Sequence, residues 1–218
     1  MTRPRISETD HGIQGEITVT QYDQMQRSFR DKGWMETRAL IESGIIQGHV
    51  LEIGHGPGYL GLEWLKQTEN TTLVGLDISP DMQALAVRNA QEYGLTARSC
   101  YHLGNCDQLP FEDSSYEAVF TNGSLHEWVD PQCAFNEIWR VLKPGGRYFI
   151  SDLRRDMNGL LRGFLWLSVR PTAMRSGLLS SVNAAYTSKE LRDLLEKTRL
   201  KAGKVTANRI GVEISGVK

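Results

Sequence analysis

Short apolar runs alternate with amphipathic stretches of helical length from about residue 48 onward. This alternation is typical of βαβ units built around a parallel sheet. The tail alternates on either side of Gly211 and predicts two further strands that form a hairpin. We therefore expect one α/β domain with a mostly parallel seven-stranded sheet and helices on both faces. The predicted strands before the tail lie at 49–53, 72–77, 97–103, 116–121 and 147–151.

Two helix starts are marked by a capping residue followed by proline. Ser79-Pro80 and Asp130-Pro131 each place a good N-cap residue directly before proline at the first helical position. The second of these helices is followed by Lys-Pro-Gly-Gly at 143–146. Proline and two glycines cannot continue a helix, so we expect a turn there that leads into the fifth strand.

Two segments interrupt the alternation. Residues 20–45 predict one or two helices, and residues 157–186 form an apolar insertion dotted with arginines, which ends at the capping box Thr187-x-x-Glu190. We interpret the insertion as a lid over a binding site. An amphipathic helix packed on the core and a membrane-surface helix with basic flanks are the alternatives. The lid would act together with three aromatic side chains, Tyr22, Phe29 and Trp34.

Charge and composition narrow the classes of function. The 218 residues include 25 basic and 26 acidic side chains, so no global positive field is available to hold a nucleic acid. No stretch approaches the length of a membrane span, and the polar N-terminus lacks the apolar core of a signal peptide. We expect a cytoplasmic protein without stable membrane association, in which Cys100 and Cys133 are buried reduced thiols.

The most informative segment is Leu-Glu-Ile-Gly-His-Gly-Pro-Gly at the end of the first predicted strand. It delivers Glu52 and then Gly54, Gly56 and Gly58 into the start of a helix, where glycine lets the backbone approach a ligand closely. The dinucleotide fingerprint requires glycine at its sixth position, which Tyr59 occupies here. A nicotinamide-dependent oxidoreductase is therefore the alternative and not the preferred interpretation.

A second strand ends in a carboxylate, Asp77, about twenty residues after the glycine loop. A carboxylate at this place accepts charge-assisted hydrogen bonds from the two hydroxyls of a ribose. Capping of the following helix is the alternative role for Asp77, although Ser79 already fills the cap position. The glycine loop and Asp77 together predict a nucleoside-containing cofactor.

These motifs resemble the class I S-adenosylmethionine-dependent methyltransferases, and among them the ubiquinone/menaquinone-type C-methyltransferases and related small-molecule enzymes. The resemblance implies a Rossmann-like methyltransferase domain at 47–218, a helical cap at 1–46, and S-adenosyl-L-methionine as the cofactor. It covers about residues 50–152 and is carried by Leu-Glu-Ile-Gly-His-Gly-Pro-Gly at 51–58, Gly-Leu-Asp-Ile-Ser at 75–79, Leu-Pro-Phe at 109–111, Leu-His-Glu-Trp at 125–128 and Leu-Lys-Pro-Gly-Gly at 142–146.

The resemblance also implies a set of cofactor contacts. Glu52 would serve the amino group of the methionine part, directly or through water, and Ile78 would pack on the adenine. Asn105 stands where the family usually has an acidic residue, and its amide oxygen can still accept from the adenine amine, with Asp107 as a possible substitute. The implied cofactor-binding residues are Glu52, Gly54, His55, Gly56, Gly58, Asp77, Ile78, Asn105, Cys106, Asn122 and Gly123.

Methyl transfer from a sulfonium is an in-line displacement, so alignment and exclusion of water supply most of the catalysis. A general base is needed only when the acceptor must lose a proton. The candidates are His126 and Glu127, just beyond the fourth strand, and Asp152, at the carboxyl end of the fifth. We expect no metal and a small-molecule acceptor, lipophilic if the insertion meets lipid. A binding or regulatory module without turnover is the non-enzyme alternative.

Overall fold

The computed structural model describes residues 4–6 and 13–218. Its seven strands are β1 (Gly48–Ile53), β2 (Thr71–Asp77), β3 (Ser99–Leu103), β4 (Tyr116–Asn122), β5 (Leu142–Leu153), β6 (Lys204–Ala207) and β7 (Gly211–Val217). The helices of the described residues are α1 (Glu16–Asp31), α2 (Thr37–Glu42), α3 (Tyr59–Gln67), α4 (Pro80–Glu92), α5 (Pro131–Val141), α6 (Gly159–Ser168), α7 (Arg175–Ala184) and α8 (Ser188–Leu195), with 3-10 turns at Leu125–Glu127 and Thr172–Met174.

The strands form one sheet in the order β3-β2-β1-β4-β5-β7-β6. Neighbouring strands from β3 to β5 are parallel, and β7 runs antiparallel to both β5 and β6. This confirms the mostly parallel seven-stranded sheet and its terminal hairpin. The strand order reverses between β1 and β4, and such a reversal opens a crevice at the carboxyl ends of the strands, where open α/β sheets bind ligands.

Alternate residues of β1 enter different hydrophobic clusters. Leu51 and Ile53 belong to a cluster that contains Phe135 of α5 and side chains of α8. Val50 belongs to a second cluster, with Trp64 of α3 and side chains of α2. Both large aromatic side chains are fully buried. Since successive side chains of a strand point to opposite faces, the two clusters join β1 to helices in two different directions.

Both predicted N-caps are formed. The Ser79 hydroxyl accepts the backbone N–H of Met82 at 3.2 Å, and the Asp130 carboxylate accepts that of Cys133 at 3.0 Å. Each bond satisfies one of the N–H groups that the first turn of a helix leaves without a partner. These side chains set where α4 and α5 begin, on either side of the crevice.

Three sequence predictions need correction. Residues 143–146 are not a separate turn but an irregular first part of β5, where the register slips between the Leu142 and Arg147 pairs and Gly145 takes a φ of 78°. The third strand begins two residues later than predicted, at Ser99. Cys100 is exposed and Cys133 only half-buried. Cys100 lies on β3, an edge strand of the sheet, which explains its open side chain.

The capping box predicted before α8 is complete, and it generates a stability prediction. The Thr187 hydroxyl accepts the N–H of Glu190 at 3.3 Å, and the Glu190 carboxylate accepts the N–H of Thr187 at 2.8 Å. We expect Thr187→Ala to lower the free energy of unfolding by about 1 kcal/mol, because an N–H at the start of α8 loses its acceptor. Thr187→Ser, which keeps the hydroxyl, is the control. Equal urea midpoints for both variants would contradict the prediction.

Candidate functional site

A cavity of about 330 Å³ lies at the carboxyl ends of the parallel strands. Its wall contains residues at or just after the ends of β1, β2, β3 and β4, among them Gly54, Asp77, Asn105 and Ser124. This is the crevice expected from the reversal of strand order. The volume falls in the range of about 300–1,000 Å³ that is usual for small-molecule sites.

The structure brings most of the predicted site residues together, but not all of them. The predicted residues on the cavity wall are Gly54, Gly56, Asp77, Ile78, Asn105, Cys106, Gly123 and Glu127. Those that the part of the chain described here places off the wall are Glu52, His55, Gly58, Asn122, His126 and Asp152. The wall therefore contains the predicted glycine-loop backbone, the carboxylate predicted to bind a ribose and one of the three predicted bases.

The glycine loop is shaped by close contacts that exclude side chains. Gly54 has a φ of 66°, and a Cβ atom on it would lie 2.5 Å from the Cβ of Ser124 in the loop after β4. Gly56 has a φ of 51°, a left-handed conformation that most side chains avoid. The loop after β1 can thus lie directly against the loop after β4, and its backbone faces the cavity.

Asp77 joins the glycine loop to the start of α4. One carboxylate oxygen accepts the N–H of Gly56 at 2.9 Å, and the other accepts the N–H of Ser79 at 2.9 Å. Each oxygen of a carboxylate has about two acceptor sites, so capacity for two further donors is left on the cavity side. The geometry is suitable for a pair of neighbouring hydroxyls.

Near Asp77 the cavity wall has an apolar part, formed by Ile78 and Ile13, and a polar part, formed by Asn105 and Asp107. Ile78 is 41% exposed and lines the cavity together with Ile13, whose carbonyl accepts the Ser79 hydroxyl at 2.6 Å. The Asn105 side-chain oxygen accepts the N–H of Asp107 at 3.0 Å, so one of its two acceptor sites is already used. Burial raises the pKa of Asp107, which also lies on the wall.

Glu52 and His55 lie behind the glycine loop. The alternation of β1 turns Glu52 away from the cavity toward Gly61 of α3, and the side chain is 3% exposed. Burial raises the pKa of this carboxyl to about 8. His55 bonds its Nδ1 to the carbonyl of Gly56 at 2.7 Å and packs its ring edge-on against Tyr101. Burial lowers the pKa of His55, so the ring is neutral.

Gly58 and Asn122 were predicted to bind the cofactor, but neither lies on the cavity wall. Gly58 is the residue before α3, where its φ of 81° and the nearby Tyr101 hydroxyl leave no room for a side chain. The Asn122 side chain donates to Glu36 and Ser151 at 3.0 and 2.8 Å, so it is held away from the cavity. Both residues shape the site through the backbone and not by a contact of their side chains.

The three predicted bases form a chain that ends at the cavity. The Asp152 carboxylate accepts the backbone N–H of His126 at 2.7 Å and lies 2.9 Å from the Nδ1 of its ring. Both side chains are buried. The Nε2 of His126 lies 3.9 Å from the carboxylate of Glu127, which is on the wall. A carboxylate can only accept, so Nδ1 carries the proton and the other ring nitrogen faces Glu127.

Sequence reasoning missed part of the wall. Tyr22 was expected only as part of a lid, but it lies over the glycine loop, 3.5 Å from where a Cβ on Gly56 would be. Burial raises the pKa of its hydroxyl, which accepts a hydrogen bond from Gln26 at 3.0 Å. The other wall residues that the sequence did not single out for the site are Ile13, Ile53, Leu76, Met82, Gly104, Ser124, Trp128 and Val129. Ile53, Leu76 and Trp128 belong to the motifs at 51–58, 75–79 and 125–128, which could have signalled them, whereas Ile13, Met82 and Val129 lie outside every motif.

The predicted lid does not reach the cavity in this structure. No residue of 157–186, all of which the structure describes, lies on the wall. Phe29 and Trp34 pack against each other, with ring centroids 5.9 Å apart, and do not line the cavity either. Of the predicted roof only Tyr22 remains, so the described part of the N-terminal segment and not the insertion covers the site.

The buried carboxyl of Glu52 predicts a pH dependence of stability. Its pKa is about 8 in the folded protein against an ordinary value of 4.5, so between these values the folded chain holds a proton that the unfolded chain has released. The free energy of unfolding then falls as pH rises, by at most about 1.4 kcal/mol per pH unit. We expect urea midpoints between about pH 5 and about pH 8 to fall less steeply in Glu52→Gln than in the wild type.

The matched control is Glu117→Gln. Burial acts to raise the pKa of the Glu117 carboxyl, but hydrogen bonds from Lys143 and from the backbone N–H of His49 outweigh this effect, so the pKa is lowered. Because its pKa in the folded protein is lowered and not raised, its replacement should not make the fall of stability with rising pH less steep. Identical slopes for Glu52→Gln and the wild type would show that Glu52 does not titrate in this way.

Comparison with known proteins agrees with the geometry. Residues 51–150 match the family model described as a methyltransferase domain. A demethylmenaquinone methyltransferase of Deinococcus radiodurans is 30% identical over 158 residues, which are 72% of this chain and 65% of that protein. The chain thus spans less than two thirds of the length of this relative.

Solved structures share the fold. A protein of Methanococcus maripaludis superposes with a TM-score of 0.74 at 22% identity, over 99% of this chain and 95% of the other. A SAM-dependent methyltransferase of Aquifex aeolicus gives a TM-score of 0.64 at 19% identity, over 83% and 87% of the two chains. At these identities the likeness shows the fold alone. The match over residues 51–150 identifies a methyltransferase domain in this chain.

Proposed function

We propose that this protein transfers a methyl group from S-adenosylmethionine to a small lipophilic acceptor. The observation that carries the proposal is the carboxylate of Asp77, which lies on the wall of the cavity and accepts the N–H of Gly56 in the glycine loop. One side chain thus aligns the backbone that would hold the methionine part with the group that would hold the ribose. This is the arrangement that the sequence motifs predict.

The residues present fit the cofactor. Gly54 and Gly56 offer backbone without side chains on one wall, Asp77 offers acceptor sites to ribose hydroxyls, and Ile78 offers an apolar face to the adenine. Asn105 and Asp107 also lie on the wall and carry oxygen atoms that would accept a hydrogen bond from an adenine amine. When bound, S-adenosylmethionine supplies an electrophilic methyl carbon.

Glu52 and His55 support this site from behind. His55 holds the carbonyl of Gly56 through its neutral ring, and Glu52 lies under the start of α3. Their contribution to cofactor binding would be made through the shape of the loop. Gly123, on the wall after β4, is the residue that would lie beside the sulfonium.

The acceptor class follows from the remaining wall. Tyr22, Trp128 and Val129 present aromatic and aliphatic groups to the cavity, and Val129 is 69% exposed. Such a wall favours an apolar ring or chain over a charged substrate. The relative from Deinococcus radiodurans is named for demethylmenaquinone, a lipophilic acceptor of this kind. We infer a quinol-like ring as the acceptor.

Glu127 is the residue that would take up a proton from the acceptor. It is the predicted base whose side chain belongs to the wall, while His126 and Asp152 are buried behind it. The Asp152 carboxylate fixes the ring of His126, and the ring faces Glu127. A proton on Nε2 or on the Glu127 carboxyl would link the two groups, and His126 and Asp152 would in this way adjust the proton affinity of Glu127. Tyr22 on the wall would help to exclude water.

The alternatives make different predictions. A nicotinamide-dependent oxidoreductase would bind NADH, and the comparisons lend this activity no support. A regulatory module would bind the cofactor without turnover. Incubation with methyl-labelled S-adenosylmethionine and a short-chain demethylmenaquinol tests the proposal directly. We expect label in the quinol fraction. Cofactor binding without label in this or any other lipophilic phenol or quinol would favour the regulatory module.

Replacement of Asp77 tests the cofactor site. We expect Asp77→Asn to weaken the binding of S-adenosylhomocysteine by about 100-fold or more, because two hydrogen bonds to a charged acceptor are lost. Calorimetric titration measures the affinity. Asp113→Asn is the control, since Asp113 is an exposed partner of Arg140 away from the cavity wall. Equal affinities of Asp77→Asn and Asp113→Asn would overturn the assignment of the ribose site.

Replacement of Glu127 tests the base. We expect Glu127→Gln to lower kcat by about 100-fold or more, the usual contribution of a general base, while S-adenosylhomocysteine binding is kept. His126→Asn should cost less and should shift the acidic limb of the pH–rate profile, because the imidazole no longer faces the carboxylate. An unchanged profile in both variants would show that methyl transfer here needs no base from this chain of residues.

A further inference from the structure

Helix α6 projects an apolar stripe into solvent. Leu160, Phe164 and Leu167 are 87%, 57% and 59% exposed, and no residue of the helix is buried. Their spacing of four and three residues places them on one face of the helix. We call these three residues the α6 ridge. Solvated apolar side chains at helical spacing mark a surface that meets another apolar phase.

Two guanidinium groups lie at the end of the α6 ridge. Arg170 and Arg175 both donate to the carbonyl of Leu167, at 2.8 and 3.1 Å, and Arg175 also stacks over the ring of Trp166 at 4.3 Å. Cations at this place are favoured by the C-terminal end of the helix dipole. They also place positive charge directly beside the apolar stripe.

The surrounding segment contains no negative charge. Residues 157–189 include three arginines and one lysine but none of the 26 acidic residues of the chain. In the described part of the chain, neither Arg170 nor Arg175 forms an ion pair with a carboxylate. The segment that exposes these apolar side chains thus carries basic residues at the ordinary density of the chain but no acidic residues to balance them. Apolar and basic groups in this arrangement complement the anionic surface of a lipid bilayer.

The α6 ridge is also connected to the rim of the cavity. Helix α7, which follows α6, contacts the 3-10 turn Leu125–Glu127, and the turn Thr172–Met174 contacts α1. The turn Leu125–Glu127 contains Glu127 and α1 contains Tyr22, and both residues line the cavity. The segment that bears the ridge therefore packs against the same elements that surround the site. None of the helices in the described residues is long and apolar enough to cross a membrane.

We propose that the α6 ridge docks this protein reversibly on an anionic membrane surface. The side chains of the ridge enter the boundary between headgroups and acyl chains, and Arg170 and Arg175 contact lipid phosphates. A single short helix with two cations supplies enough interaction for exchange between membrane and water, but not for permanent anchoring. The proposal does not depend on the identity of the methyl acceptor.

Vesicle flotation of the full chain tests the docking. We expect the wild type to float with vesicles of phosphatidylcholine and phosphatidylglycerol, to stay unbound with phosphatidylcholine alone, and to be released by added salt. Leu160→Ser/Phe164→Ser should lower the partition coefficient by at least about tenfold, because two apolar side chains no longer leave water. Arg170→Gln should lower it by about fivefold on anionic vesicles.

The matched control replaces two exposed aliphatic residues elsewhere, Ile46→Ser/Val87→Ser, whose side chains are 50% and 41% exposed. It should float like the wild type, and all variants should retain the circular dichroism spectrum and the affinity for S-adenosylhomocysteine. A wild type that does not float with anionic vesicles would overturn the proposal. Equal flotation of the ridge variant and the wild type would overturn it as well. A wild-type dimer that becomes a monomer in the ridge variant would also overturn it, because the ridge would then bind a second copy of the chain.

Discussion

The carboxylate of Asp77 is the point on which the architecture of the site depends. It accepts backbone N–H groups from the glycine loop after β1 and from Ser79 at the start of α4. The Ser79 hydroxyl in turn caps α4 and donates to the carbonyl of Ile13, which brings the N-terminal segment to the cavity wall. Charge-assisted bonds of this kind are about twice as strong as neutral ones. Three segments far apart in sequence are thus held in one place before any ligand binds.

The sheet determines where that point lies. Because the strand order reverses between β1 and β4, the loops that follow them diverge from the sheet and leave space at its carboxyl edge. The two loops approach closely at Gly54 and Ser124, where even one additional methyl group would clash. The cavity therefore requires both a topological feature of the whole chain and a local glycine.

Local sequence was sufficient for what depends on short-range bonds. The caps at Ser79 and Asp130 and the capping box before α8 are interactions within four residues, and all of them form. The orientation of Glu52 was not available in this way, because β1 is buried on both faces and its pattern does not say which face meets the cavity. The positions of Ile13 and Tyr22 were equally hidden, since both depend on contacts with residues more than thirty positions away.

The role of the insertion at 157–186 could not be predicted from its sequence pattern either. Its apolar residues and arginines were interpreted as a lid, but they also fit a core helix and a membrane-surface helix, since each of these needs an amphipathic pattern. The structure distinguishes them by burial: α7 buries Val182 and Ala184 against the domain, whereas α6 buries no residue at all. One half of the insertion therefore contains a helix that packs on the domain, α7, and the other half contains an exposed helix, α6. Leu160 on that helix is 87% exposed, so burial of its side chain contributes little to the stability of the fold, and burial against an apolar phase outside the domain would add to it.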